Sequence, residues 1–109
     1  MQAMILAMTT LSPKTSCAHR CSEKPIRLIQ ITDCHLLADP DAIYRGWNTQ
    51  ASLQAVLEHI HQRSQNQGFD AVLATGDLVH DGSAEGYQRL QNQLSRLQRP
   101  CYAIAGNHD

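Results

Sequence analysis

The sequence has no apolar run approaching the roughly 20 residues that span a bilayer. It has no Lys or Arg before Lys14 to open a secretory leader, and the apolar stretch within MQAMILAMTT is shorter than a leader's core. A cytoplasmic location is expected, with no membrane partner. Net charge is also missing: nine Lys and Arg stand against ten Asp and Glu, a formal −1. No basic field gathers a nucleic-acid backbone, so nucleic acid is not the expected ligand. Nothing in the pattern sets an oligomeric state.

A disulfide framework is absent as well. Cys17 and Cys21 lie in a stretch without regular period, and Cys101 opens an apolar strand-like run. All four cysteines, Cys34 included, read as reduced thiols. His19 sits between Cys17 and Cys21, but no second ligand pair follows at the spacing of a zinc finger, so a tail is the reading there. No internal repeat or low-complexity run occurs.

What is present suits one small domain: 109 residues, 42% of them apolar. Residues 1–25, rich in Thr, Ser, Lys and Pro, show neither helical nor strand period and are expected as a flexible N-terminal tail that Pro25 closes. Order is expected from 26 to 109. IRLIQIT (26–32) reads as a strand, and TQASLQAVLEHIHQRSQN (49–66) carries Leu53, Val56, Leu57 and Ile60 on one helical stripe. Asn48 or Thr49 can cap that helix, and Gly68 is expected to stop it in the left-handed conformation. DAVLAT (70–75) is a second strand. AEGYQRLQNQLSRLQR (84–99) is a second helix, with Tyr87, Leu90, Leu94 and Leu97 on its stripe. Ser83 can cap it, Glu85 suits its positive end, and Arg96 and Arg99 suit its negative end before Pro100. CYAIA (101–105) is a third strand. The order β-α-β-α-β predicts an α/β fold with parallel strands and right-handed crossovers. A sheet of three strands would be thin for a domain.

Each strand is followed at once by a polar cluster: Asp33 and His35 in TDCHL, Asp77 in TGDLVHDG, and Asn107, His108 and Asp109 in GNHD. In an open parallel sheet, ligands sit outside the carboxyl ends of the strands, so these three loops are expected to converge. Carboxylate, imidazole and amide donors together suit manganese, iron or zinc better than calcium, which takes oxygen alone. Gly76 and Gly106 allow a sharp turn and a close approach there.

These motifs resemble those of the calcineurin-like metallophosphoesterases, whose ordered signature runs D-x-H, G-D, G-N-H-D or G-N-H-E, then later histidines. The chain has Asp33-Cys34-His35, Gly76-Asp77 and Gly106-Asn107-His108-Asp109, so the resemblance runs from about Ile26 to the last residue. QITDCHL, RGWNT, ATGDLVHDGS and AGNHD look most like the bacterial class III cyclic-nucleotide phosphodiesterases. That implies hydrolysis of 3′,5′-cyclic AMP to 5′-AMP by a water that two metal ions activate. DNA-repair nucleases share D-x-H and GNHD and are the rival within the fold.

By position, the resemblance makes Asp33 and His35 ligands of a first metal ion, Asp77 a bridge and Asn107 a ligand of a second, the ions being iron, manganese or zinc. Asn107 and His108 would meet substrate, with His108 stabilising the phosphoryl group or protonating the leaving oxygen and Asp109 orienting its ring. His80 is a further candidate for substrate contact, with a plain loop role as the alternative. Cys34 reads as a small filler between ligands. His59 and His61 fall on different helix faces and read as solvated. Trp47 could stack on a base or cover the core.

The family signature goes on to a lone His and a Gly-His-x-His, which this chain does not contain. It is therefore expected to be the N-terminal half of a four-layer αββα metallophosphoesterase sandwich, poorly stable and almost inactive alone. The alternative is a truncated, non-catalytic remnant or weak metal-binding module.

Overall fold

The computed structural model describes residues 6–11, as backbone, and residues 24–109. Its elements are β1 (Leu6–Leu11), β2 (Ile26–Ile31), β3 (Ile43–Tyr44), β4 (Trp47–Asn48), α1 (Thr49–Ser64), β5 (Ala71–Thr75), α2 (Ala84–Ser95) and β6 (Cys101–Ile104). Strands β2, β5 and β6 pair in parallel, with Ile29 opposite Val72 and Ala74 opposite Ala103, as the alternation of strands and helices predicts. The sheet order is β1-β2-β5-β6. With β2, β5 and β6 in chain order, both crossovers run in one direction, and both helices lie on one face, where they share a core.

Strand β1 corrects the expectation that no element precedes Ile26. It pairs antiparallel with β2, from Leu6 opposite Ile31 to Leu11 opposite Ile26. LAMTTL has no clean alternation, so the strand follows from the hydrogen-bonding edge that β2 offers, not from a side-chain pattern. Cys17, His19 and Cys21 lie outside the described residues.

Alternation along the parallel strands separates two environments. On the helix side, Ile29, Ile31, Val72 and Ala74 join Leu53 and Ile60 of α1 and Leu90 and Leu94 of α2 in one core, with Val56, Leu57, Tyr87 and Leu97 packed against it. Both expected stripes are present. The other face carries Ile26, Tyr102 and Ile104, which are 55%, 62% and 66% exposed.

The helix starts are those the sequence predicts. The Asn48 side chain accepts from the Ala51 N–H at 2.7 Å, and the Ser83 hydroxyl accepts from the Gly86 N–H at 3.3 Å. Both ends come earlier than expected. Helix α1 stops at Ser64, where the Gln65 N–H reaches the Gln62 carbonyl, so the closing turn tightens without a left-handed Gly68. Helix α2 stops at Ser95, and Gln98 makes the left-handed turn (φ 52°). Arg99 does not serve the helix end: its Nε donates to the Phe69 carbonyl at 2.9 Å and its guanidinium lies over the Phe69 ring. Among the described residues no helix is long and apolar enough to cross a membrane.

Candidate metal centre

The loops after β2 and β5 run side by side as a continued ladder. The Asp33 N–H donates to the Gly76 carbonyl at 3.1 Å, the His35 N–H to Asp77 at 2.9 Å, the Leu36 N–H to Leu78 at 3.0 Å, and the His80 N–H back to Leu36 at 2.7 Å. This zipped pair of loops carries the D-x-H and G-D residues to the same strand-end edge. Asp33, His35 and Asp77 each bring one ligand atom, all within 4.8 Å of one another.

All three residues hold left-handed backbone, with φ of 55°, 45° and 47°. Such a conformation costs a non-glycine residue about 1–3 kcal/mol and persists where the surroundings over-determine it. Gly76, at φ 81°, is the one position in this corner where sequence alone points to a left-handed turn. Gly106 is required for another reason: a Cβ there would collide with the main-chain nitrogen and Oδ1 of Asp77. The GNHD loop therefore packs directly on Asp77.

His35 is 3% exposed, and its Nε2 is buried with no hydrogen-bond partner. An unpaired buried nitrogen costs about 1–3 kcal/mol. It lies 3.8 Å from Asp33 Oδ1. An orphaned imidazole nitrogen in a cluster with two carboxylates is a donor set that fits a divalent manganese, iron or zinc ion. Burial lowers the His35 pKa; Asp77 and Asp33 oppose that, while His80 and His108 add to it. The net shift is downward, which favours the neutral ring that ligates a metal ion. Burial also pushes the Cys34 thiol up to about 12, with Asp33 and Asp109 adding to the shift, so Cys34 stays protonated and fills space as expected.

Other expected residues divide. The His108 N–H donates to Asp77 Oδ1 at 3.1 Å, and its ring stacks on His80 with centroids 4.6 Å apart, 5.6 Å from His35. Asn107 follows Gly106 on the same loop, its side chain exposed at the rim. His80, a candidate for substrate contact with a plain loop role as the alternative, has its Nδ1 3.2 Å from His35 Nδ1.

Asp109 is a correction, because its carboxylate does not orient the His108 ring. It accepts from the N–H groups of Leu78 (2.8 Å), Val79 (2.8 Å) and Gly106 (2.7 Å) and from the Tyr87 hydroxyl (3.1 Å). These donors converge only once the β5 loop, α2 and the GNHD loop are assembled. His59 and His61 are exposed, as expected, and Trp47 is 57% exposed, which removes it from the core.

Sequence reading missed Tyr44. Its ring stacks on His35 at 5.1 Å and tilts against His80 at 4.3 Å. The β3–β4 hairpin carries it there, turning through Arg45 and Gly46, both at positive φ. The Arg-Gly dipeptide was the available signal for that two-residue turn.

Residues 26–109 match the calcineurin-like phosphoesterase family. Among curated proteins, the chain is 51% identical over 89 residues to the 3′,5′-cyclic adenosine monophosphate phosphodiesterase CpdA of Haemophilus influenzae, covering 81% of this chain and 32% of that protein. It is 42% identical to the CpdA of Escherichia coli K12, covering 80% of this chain and 31% of that one. A 3′,5′-cyclic-nucleotide phosphodiesterase of Nostoc is 41% identical, with 78% and 31% covered. The chain thus spans about a third of the length of these relatives.

Proposed function

The chain belongs to the calcineurin-like phosphoesterase family, and from that premise we propose that its protein is a metal-dependent phosphodiesterase that opens 3′,5′-cyclic AMP to 5′-AMP. The observation that carries this reading is the convergence of ligand atoms of Asp33, His35 and Asp77 within 4.8 Å, beside a buried His35 Nε2 that has no hydrogen-bond partner. The relatives whose names state action on cyclic nucleotides match over that same stretch.

In this reading Asp33, His35 and Asp77 would hold a first metal ion, and Asp77 with Asn107 would serve a second. Iron, manganese and zinc are the candidates. When bound, the ions supply a water nucleophile competent at neutral pH and offset charge on the phosphoryl oxygens. His108 stands at the exposed side of the cluster, fixed by its main-chain bond to Asp77. From there its ring would donate a proton to the departing ribose oxygen, the work of a general acid. Asn107 and His108 would contact the substrate. A cytoplasmic setting belongs to the same proposal, supported by the free thiols of Cys34 and Cys101.

The test is turnover by the purified protein with manganese on cyclic AMP, cyclic GMP and single-stranded DNA. The expected product is 5′-AMP from cyclic AMP. Release of nucleotides from DNA without cyclic AMP turnover would move the assignment to the nuclease rival, and metal binding with no turnover of any substrate would leave a metal-binding module. Asp77→Ala is expected to lower turnover by more than about 100-fold, the upper range for loss of a mere supporting partner of a ligand.

A further inference from the structure

We propose that His80 is a positioning residue for His35: its Nδ1 accepts a hydrogen bond from the His35 Nδ1–H and thereby holds His35 in the tautomer that leaves Nε2 open to a metal ion. The inference rests on the metal-centre reading above. It starts from the 3.2 Å separation of the two Nδ1 atoms. Two neutral imidazoles in that contact must divide the roles, one donating and the other accepting. In one arrangement His80 donates and His35 carries its proton on Nε2, which blocks the nitrogen nearer Asp33. In the other, His35 donates from Nδ1 and its Nε2 presents a lone pair on the side of Asp33, 3.8 Å away. Only the second accommodates a cation. Each ring keeps a single proton in both, so the choice is between tautomers of neutral rings.

His80 cannot easily leave that post. Its main-chain N–H is bonded to the Leu36 carbonyl, next in the chain to His35, and its ring lies between Tyr44 at 4.3 Å and His108 at 4.6 Å. The ligand's second nitrogen is thus met by an imidazole where a carboxylate, carbonyl or water commonly stands. With Nδ1 engaged, His80 retains Nε2–H, so any substrate contact from this ring is a donated bond.

Two measurements on the intact protein test the proposal. Nitrogen-15 NMR of the zinc-loaded protein, zinc being diamagnetic, is expected to show His35 protonated at Nδ1 and His80 protonated at Nε2; a His80 ring protonated at Nδ1 overturns the assignment. Zinc titration of His80→Phe, which keeps a ring between Tyr44 and His108 but removes the acceptor, is expected to show affinity about 10–100-fold weaker. His80→Asn, which puts an oxygen near the place of Nδ1, is expected to bind within about threefold of the unaltered protein, against the 10–100-fold loss that follows from removing such a partner. Unchanged affinity in His80→Phe, or equal losses in both variants, overturns the proposal. If the unaltered protein binds no zinc, manganese or iron, the metal-centre reading itself fails and takes this inference with it.

Discussion

Both carboxylate oxygens of Asp109 are engaged, by three main-chain amides and one phenol, and that sets how the residue responds to acid. Burial raises its pKa, but the bonds from Gly106, Val79, Leu78 and Tyr87 outweigh burial and leave it below the usual 3.8. A depressed folded-state value means stabilisation that is full above the unfolded pKa and is lost as pH falls through the folded one. Stability should therefore decline below about pH 4, and Asp109→Asn should remove that part of the decline. Bonds to a charged acceptor contribute about 1.5–3 kcal/mol each, so Asp109→Asn should also cost on the order of 2 kcal/mol at neutral pH, measurable by urea unfolding. The convergence of Asp33, His35 and Asp77 was legible in the sequence because their clusters directly follow apolar strands. The partners of Asp109 were not, since Leu78, Val79 and Tyr87 are ordinary strand-end and helix-stripe residues whose donors converge only in three dimensions.

Helix α2 shows why local propensity can mislead. Gly86 lies in its first turn, where replacement by alanine ordinarily stabilises a helix by about 1 kcal/mol. Here an added Cβ would stand 2.6 Å from Val79 Cγ1 and 2.9 Å from the Ser83 hydroxyl that caps the helix. Val79 is fully buried and branched, so it has no room to yield. Gly86→Ala is expected to destabilise by about 1–3 kcal/mol, read as a lowered melting temperature. The element types and both N-terminal caps were readable because stripes and caps are local signals. The helix ends and the β3–β4 hairpin were not: the former depend on how the last turn tightens, and two-residue strands are too short to show a period. Arg89 is a further long-range tie, reaching from α2 to the Leu37 and Ala38 carbonyls beside the site. No spacing in the sequence announces it.

For the molecule as a whole, the parallel pairing of β2, β5 and β6 was readable from the alternation of elements, whereas β1 was not, because its place comes from the edge of β2. Among the described residues the helices cover one face of the sheet, while on the other Leu28 and Leu73 are half-buried and Ile26, Tyr102 and Ile104 are more than half exposed. A parallel sheet is normally covered on both faces. The 109-residue chain alone is expected to self-associate with rising concentration in sedimentation velocity, and Tyr102→Lys combined with Ile104→Lys should suppress that association while sparing the buried core. A small domain has only about 5–15 kcal/mol of stability in hand. The left-handed backbone of Asp33, His35 and Asp77 subtracts from that margin at three places at once. Glycine at Asp33 or Asp77 would relieve that strain, whereas at the buried His35 it would leave a cavity beside Tyr44. Backbone strain of this kind gathers at ligand clamps and active sites, where it is held by the surrounding structure.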